Sequence, residues 1–365
     1  MVSRDADPAP GLIVREVTLR DFRSYHALEV RLAPGVVLVC GPNGAGKTNL
    51  LEALHVGTQG FSPRTRSDAQ LVRFGAQSAR VRLRGVRGPR GFETDVVLHA
   101  SEGRRVRVNG TVLRSGEQLR QELRTLVFTP DRLAVVKGSP AVRRAYLDRV
   151  LSRLLPARAA LPGEYLAVVG QRNAGLRRAA AGLSPREALA PWTQAAAALG
   201  AELVQARRDT LEALAEPFAR CAEALGLLEA ELVYEGEPAS VEEHERRLQR
   251  DLERGATGLG PHLHDLRIAA RGRDLRAFGS QGEQRIAVLA LVLAEAEALA
   301  ERSGQRPLLL LDDVLSELDG ERRLALARLL ARGGQTIVTA TAAAAFPGQP
   351  AQRLAVSRGR VAEAA

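Results

Sequence analysis

Two periods of apolar residues run along this chain, and the place where one gives way to the other divides it. Val14, Val17 and Leu19 alternate with polar neighbours, and Leu28, Val30 and Leu32 repeat the alternation, which predicts two strands over 12–33. The uninterrupted apolar run 36–40 reads as a buried strand, and 49–54 opens an amphipathic helix. Strand patterns return at 81–86, 93–99 and 104–108, separated by Gly-Pro and Glu-Gly turns, and predict an antiparallel layer. A short strand at 125–128 ends in Thr129-Pro130-Asp131. From there the period is helical: 141–155, 165–180, 190–225 and 241–254 carry three-to-four spacing, broken at Pro156, Pro162, Pro185 and Pro217. These segments lack sustained heptads, so the region is predicted as an inserted helical subdomain and not a long coiled-coil arm. A strand pair at 262–269 and 273–278, a helix at 283–302, a strand at 308–311, a helix at 320–331 and a strand at 335–340 follow. Such alternation implies a mainly parallel sheet. The expected fold class is therefore α/β, with a head formed by 1–130 and 262–365 and a helical lid at 131–261.

Composition narrows the classes. At 365 residues and 45% apolar content the chain has enough material for one large or two moderate cores. Cys40 and Cys221 are too few for a disulfide framework and suit a reducing cytoplasm. Residues 1–11 are polar and proline-rich without an apolar signal core, and no apolar run is long enough to span a bilayer, so neither export nor membrane insertion is expected. A net charge of +10 points toward an anionic polymer. Arginines cluster at 64 and 66, at 80, 82, 84, 87 and 90, and at 104, 105 and 107, a pattern that fits solvated faces and a nucleic-acid surface equally. Aromatic residues make up only 4%, which favours duplex backbone contacts over stacking of unpaired bases.

The chemistry begins at 41–48, which spell G-x-x-x-x-G-K-T between the predicted strand and helix. Gly41, Gly44 and Gly46 permit the tight turn that aims backbone N–H groups at an anion; Pro42, Asn43 and Ala45 complete the loop. Lys47 is placed to reach the β- and γ-phosphates of a nucleotide and Thr48 to ligate Mg²⁺. Lysine occurs elsewhere only at Lys137, which reads as a surface residue, so a lysine here is not background. Far downstream, LLLLDD places Asp312 and Asp313 at a strand end. Asp312 is the expected Mg²⁺-associated residue and Asp313 the group that would polarise the attacking water, against the plainer alternative of helix capping. Ser280 and Gly282 stand where a helix begins and would turn a hydroxyl, an N–H group and a positive dipole toward an anion; an ordinary serine cap is the competing explanation. The histidines show no metal-ligand spacing.

The Ser-x-Gly-x-Gln motif at 280–284, the Asp-Asp strand and Glu317-Leu318-Asp319 resemble the signature, second nucleotide motif and D-loop of ABC-type ATPases, and RDFRSY at 20–25 resembles their SMC branch. More narrowly, TPDRLAVVKGSPAVRRAYLD (129–148), QRN (171–173), GPH (260–262), SQGEQR and LLLDDVLSELD resemble the RecF family of bacterial recombination-repair proteins over nearly the whole chain. The resemblance implies an ATP-binding head with a helical lid, ATP-driven homodimerisation with Ser280 acting in trans, and slow DNA-stimulated hydrolysis. It also implies nucleotide contacts from Ser280, Gly282 and Gln284, and work with the RecO and RecR mediators at gapped duplex DNA. Some positions depart from the pattern. Leu263 and His264 replace an Arg-Asp pair, no glutamine occurs at 129–131, no histidine occurs at 340–341, and Asp313 replaces a glutamate. An ABC-type subunit energising a membrane transporter is the alternative, but it leaves RDFRSY and the basic charge without a purpose. An SMC-like tether would need a longer helical insertion.

Overall fold

The computed structural model describes residues 11–113 and 116–364; the N-terminal stretch 1–10 and the side chains of Pro130, Asp131 and Glu317 lie outside the described residues. The chain forms two compact units. The first takes the residues up to 132, then 221–226 and 288 onward; the second takes 133–220 and 227–287.

The first unit holds two six-stranded sheets. In the antiparallel one the order is β2 (Tyr25–Arg31), β1 (Leu12–Phe22), β4 (Ser78–Arg87), β5 (Arg90–His99), β6 (Gly103–Val108) and β7 (Thr111–Val112). In the other the order is β15 (Arg360–Glu363), β14 (Gln352–Ser357), β3 (Val36–Cys40), β13 (Thr336–Ala340), β12 (Leu308–Leu311) and β8 (Thr125–Phe128), parallel except at β15. Every residue of β12 and β13 is buried, as expected of parallel strands covered on both faces. The helix Lys47–Gln59 touches strands of both sheets and shares one apolar core with them, including Leu19, Val39, Leu54, Leu83 and Ile337. Gly57 makes that approach possible, because a Cβ there would lie 2.3 Å from Leu83 Cδ1. The sheets are also tied by one buried amide. Gln335 Nε2 donates to the carbonyls of Val14 (2.8 Å) and Ala33 (2.9 Å), and its Oε1 accepts from Val14 N–H (2.8 Å).

The second unit packs the helices Pro140–Leu154 and Leu161–Ala180, together with Ala190–Ala224 up to Arg220, and carries a three-stranded antiparallel sheet β11 (Arg273–Asp274), β10 (Asp265–Ala270), β9 (Ala230–Glu235). Three details differ from the sequence reading. Pro217 lies inside the helix Ala190–Ala224 without ending it, since Leu211, Leu214, Phe218 and Cys221 keep a buried stripe running through the proline. The strand expected at 273–278 is two residues long and turns into the helix Leu275–Phe278, because the Asp274 side chain caps it by accepting from Arg276 N–H. The chain leaves this unit at 288 rather than 262, because β9, an unforeseen strand, captures β10 in six register pairs. Among the described residues no helix is long and apolar enough to cross a membrane.

Candidate nucleotide site

Local backbone chemistry shapes the loop first. Gly44 and Gly46 adopt φ of 79° and 117°, in the left-handed region that favours glycine. Gly41 is excluded from carrying a side chain for another reason, since its Cβ would meet the Val356 carbonyl at 2.3 Å. Gly46 is the N-cap of the helix Lys47–Gln59, which has no side-chain cap and no acidic residue in its first turn. The first N–H groups and the positive helix end are thus left for an external anion. Lys47 Nζ meanwhile donates to the carbonyls of Gly41 (2.7 Å) and Pro42 (3.0 Å), which holds the ammonium inside the loop.

The RDFRSY turn buttresses this loop. Tyr25 OH donates to Gly46 O (2.9 Å), and Asn49 Nδ2 donates to Ser24 Oγ (2.9 Å). Arg23 grips the buried Glu52 carboxylate through Nε and Nη2, both at 2.9 Å. Glu52 also accepts from Ser62 Oγ (2.6 Å) and from Arg64 Nη1 (3.5 Å), so one carboxylate of the phosphate-loop helix organises both the turn and the arginine-rich loop.

Opposite the loop, β12 delivers Asp312. Its Oδ1 accepts from Thr48 Oγ1 (3.0 Å), a residue 264 positions away in sequence, and from Thr339 Oγ1 (2.8 Å). Thr339 in turn accepts from Asp313 N–H (2.8 Å). Burial raises the Asp312 carboxyl above the usual carboxylate range, the two threonine hydroxyls oppose that shift, and the charge of Asp313 adds to it. Asp313 itself sits at φ 50°. A cavity of about 350 Å³ is lined by the loop and by Thr48, Arg64, Asp312 and Asp313. Two cations, the helix end and two carboxylates line it together, a set of groups suited to a phosphate chain with a bound divalent cation. Thr48 and Asp312 have the hard oxygen donors that Mg²⁺ takes, and that ion would neutralise a carboxylate otherwise costly to ionise in this position.

Gly41 through Thr48, Asp312 and Asp313 therefore converge. Ser280 and Gly282 belong to the second unit, at the start of the helix Gln281–Ser303. Ser280 Oγ accepts from Glu283 N–H (3.2 Å) and Ser280 N–H donates to Glu283 Oε2 (2.8 Å), a capping box, so the competing explanation of this serine is realised in the chain as it stands. Gln284, expected among the nucleotide contacts, is buried and donates to Leu275 O at 2.7 Å. Its amide nitrogen thus ties the turn at 275–284 together, while its Oε1 is buried without a hydrogen-bond partner.

Sequence reasoning missed Thr339 and the placement of Arg64. Threonine in a buried strand is unremarkable by pattern, and only its register beside β12 gives it a role. Arg64 stood out merely as charge, although its position just after the phosphate-loop helix was the available signal. Lys137 is exposed, as expected of a surface lysine. At the departure from the family pattern, His264 Nδ1 bonds the Tyr234 hydroxyl (2.9 Å) and its ring lies against Gly236, where a Cβ would come within 2.2 Å. Asp265 keeps an acidic role by gripping Arg143 at 2.7 and 2.6 Å.

Comparison with known proteins matches residues 13–356 to a family described as RecF/RecN/SMC N terminal domain. A relative from Frankia alni, named DNA replication and repair protein RecF, is 37% identical, with 95% of this chain and 98% of the relative covered. Another of that name from Anaeromyxobacter dehalogenans is 39% identical over 88% and 91%. A solved structure of the recombination mediator protein RecF with ATP, from the RecFOR pathway, superimposes with a TM-score of 0.85 at 26% identity, covering 99% of this chain and all of that one. An SMC head domain from Pyrococcus furiosus shares the fold, with a TM-score of 0.62 at 16% identity over 97% and 96%.

Proposed function

The chain belongs to the RecF family of DNA replication and repair ATPases, within the RecF/RecN/SMC group, and on that premise we propose that it is an ATP-driven dimer that acts on duplex or gapped DNA. In this reading the backbone N–H groups of 43–48 and the Lys47 ammonium hold the phosphates of ATP. Thr48 and Asp312 hold Mg²⁺, which would supply Lewis-acid polarisation of the terminal phosphate. Asp313 orients the attacking water, and Arg64 adds charge at the mouth of the site. The observation that supports this reading best is the bond between Thr48 and Asp312, which brings two oxygen donors of the kind Mg²⁺ takes together from 264 positions apart. Closure needs a second copy, whose Ser280 and Gly282 present the signature helix end in trans; the capping box holds that end in shape until the copies meet. Hydrolysis is slow and stimulated by DNA, and RecO and RecR are the expected partners in loading a recombinase.

The test exploits composite sites. Lys47→Ala and Ser280→Arg should each abolish ATP-dependent dimerisation in sedimentation. Mixed together they restore it, because one site of the mixed dimer then pairs an intact loop with an intact signature. No rescue on mixing, together with ATPase strictly proportional to the concentration of a demonstrated monomer, would overturn the role in trans.

A further inference from the structure

The antiparallel sheet has one face in the core and one in solvent. Val17, Leu19, Val81, Leu83, Val96 and Leu98 point inward and are fully buried, so the intervening positions point out. The register lays those outward residues in rows. One row reads Ala27, Arg20, Arg80, Val97, Arg105; the next reads Glu29, Thr18, Arg82, Asp95, Arg107; a third reads Arg31, Glu16, Arg84, Glu93. Arginines outnumber carboxylates on this face: seven arginines meet Glu16, Glu93 and Asp95 on its inner strands and Glu29 on the edge strand β2.

Their distribution leaves some arginines without a partner. Arg84 is held by Glu93 (2.6 Å) and lies 3.7 Å from Glu16, which is also 3.7 Å from Arg31. Asp95 accepts from Arg80 Nε at 2.7 Å and stands 3.6 Å from Arg82, and its bond to Arg80 holds the carboxyl below the usual range. Arg107 is directly opposite that same Asp95, already engaged from the other side. Arg20 is directly opposite Arg80 in a row with no acid, an arrangement that like-charge repulsion disfavours. Among the described residues the side chains of Arg20, Arg105 and Arg107 make no hydrogen bond or ion pair, and all three residues are exposed. Folding alone does not account for this excess, which an external polyanion would relieve.

We infer that the outward face of the antiparallel sheet, through Arg20, Arg105 and Arg107, is the surface that contacts the phosphate backbone of duplex DNA; this rests on the DNA-binding reading above. From β1 to β6 the strands span about 14 Å at their usual spacing, enough for long side chains to reach phosphates on both strands of a duplex. The paired arginines between them form a rigid, fixed-charge floor. Phe22, Tyr25 and Phe92 are buried in the core, so among the described residues the only ring on this face is the half-buried imidazole of His99, a poor stacking platform for unpaired bases. It also lacks the apolar anchors of a membrane surface.

The experiment measures binding of a fluorescent 30-base-pair duplex to the full chain with Mg-ATP across a salt series. The triple variant Arg20→Gln, Arg105→Gln, Arg107→Gln should bind at least about 10-fold more weakly, and its log–log salt slope should be shallower by about 2 to 3, near 0.9 per lost phosphate contact. Arg84→Gln removes an arginine already matched by carboxylates, and should leave the slope within about 0.3 of wild type. ATP-dependent self-association without DNA should be unchanged in the triple variant, as should its thermal melt. Wild-type protein showing no salt-sensitive duplex binding would overturn the DNA reading itself. Wild-type binding with an unchanged slope in the triple variant would overturn this face alone. Loss of self-association in the triple variant would reassign the arginines to a contact between copies and equally overturn the inference.

Discussion

Thr339→Val is the most informative small change in the nucleotide site. The substitution preserves the branched shape of a fully buried side chain and removes a single hydroxyl. That hydroxyl donates to Asp312 Oδ1 at 2.8 Å and accepts from Asp313 N–H at 2.8 Å. A hydrogen bond to a charged group is worth about 1.5–3 kcal/mol, and the carboxylate stays buried after the loss, so a stability decrease of about 2 kcal/mol is expected, or a few degrees in thermal midpoint. The functional effect should be larger than this suggests. Thr48 also donates to Asp312 Oδ1 (3.0 Å), but Thr48 is expected to turn its oxygen to Mg²⁺, leaving Thr339 as the remaining orienting group. Loss of such an outer partner typically weakens a metal about 10–100-fold. The assay is a Mg²⁺ titration of ATP-dependent dimerisation, with nucleotide affinity in excess Mg²⁺ measured separately. A half-saturating Mg²⁺ concentration within about twofold of wild type, alongside the expected fall in melting temperature, would show that Asp312 is not oriented by Thr339 and would refute the reasoning.

Lys47→Ala should lose ATP-dependent dimerisation and hydrolysis with little change in melting temperature, and unchanged nucleotide affinity would remove Lys47 from the site. Asp313→Asn should retain ATP binding and accumulate the dimer, because asparagine tolerates the φ of 50° observed there while losing the charge that would orient water; wild-type turnover would move that role elsewhere. Gln335→Leu strands the Val14 N–H and carbonyl in the core and frees the half-buried Ala33 carbonyl, for an expected cost of about 2–4 kcal/mol in urea unfolding; an unchanged midpoint would contradict the tie between the sheets. The His264 imidazole is held down to about 4, first by burial and then by the charge of Arg207. The unfolded chain binds a proton near pH 6.5 that the folded chain refuses until about pH 4. Stability therefore falls as pH drops through that window, by about 1–2 kcal/mol after discounting partial exposure. His264→Gln should flatten this dependence, and an equal slope in both proteins would count against it.

Much of the nucleotide site was legible because its parts are local. A strand, a glycine loop and a helix occupy consecutive residues, so 36–54 encode both the geometry of the loop and the dipole that serves it. The antiparallel layer was legible for the same reason, since hairpin neighbours are sequence neighbours and the alternation marks their faces. Where pairing is long-range the sequence is silent. β14 joins β3 across more than 300 residues and β9 captures β10 across an intervening helical stretch, so neither strand's partner is written beside it. Thr339 and Gln335 have the same difficulty: each takes its meaning from a partner in a distant element. Gln284 shows a different difficulty: a motif position expected to contact ligand is buried, with its amide nitrogen bound to Leu275 O in its own turn.

The stretches that carried the family resemblance most specifically turn out to do different work from the nucleotide motifs. Arg172 of QRN is fully buried; it donates to Asp251 (2.8 Å), Thr257 (2.9 Å) and Thr193 (3.1 Å), while Asn173 accepts from Thr257 N–H at 2.7 Å. His262 of GPH donates from Nε2 to Thr257 O (3.1 Å), which fixes its tautomer and leaves Nδ1 to accept from Tyr165 OH (2.8 Å). From the 129–148 stretch, Asp148 pairs with the buried Arg207, whose Nη1 reaches Pro261 O at 2.7 Å. Together these residues form charged networks inside the second unit. A buried ion pair contributes little net stability relative to a well-packed apolar pair, yet removing one partner leaves an uncompensated charge at a cost of about 3–5 kcal/mol. Such a network resists piecemeal substitution, and it also resists sliding, because Arg172 and Arg207 each bond acceptors on separate segments at once. Apolar packing alone would tolerate small displacements between the helices of that unit and β10. On the proposed role of Ser280, whose turn is anchored through Leu275 and Asp274 beside β10, such looseness would pass directly to that residue. The polar interior of the second unit would then hold that turn at a fixed position, and Asp251→Asn, which keeps the shape and removes the charge, should weaken ATP-driven dimerisation by more than the fall in the second unit's own melting temperature accounts for. Equal and parallel losses in both would reduce the network to a matter of stability.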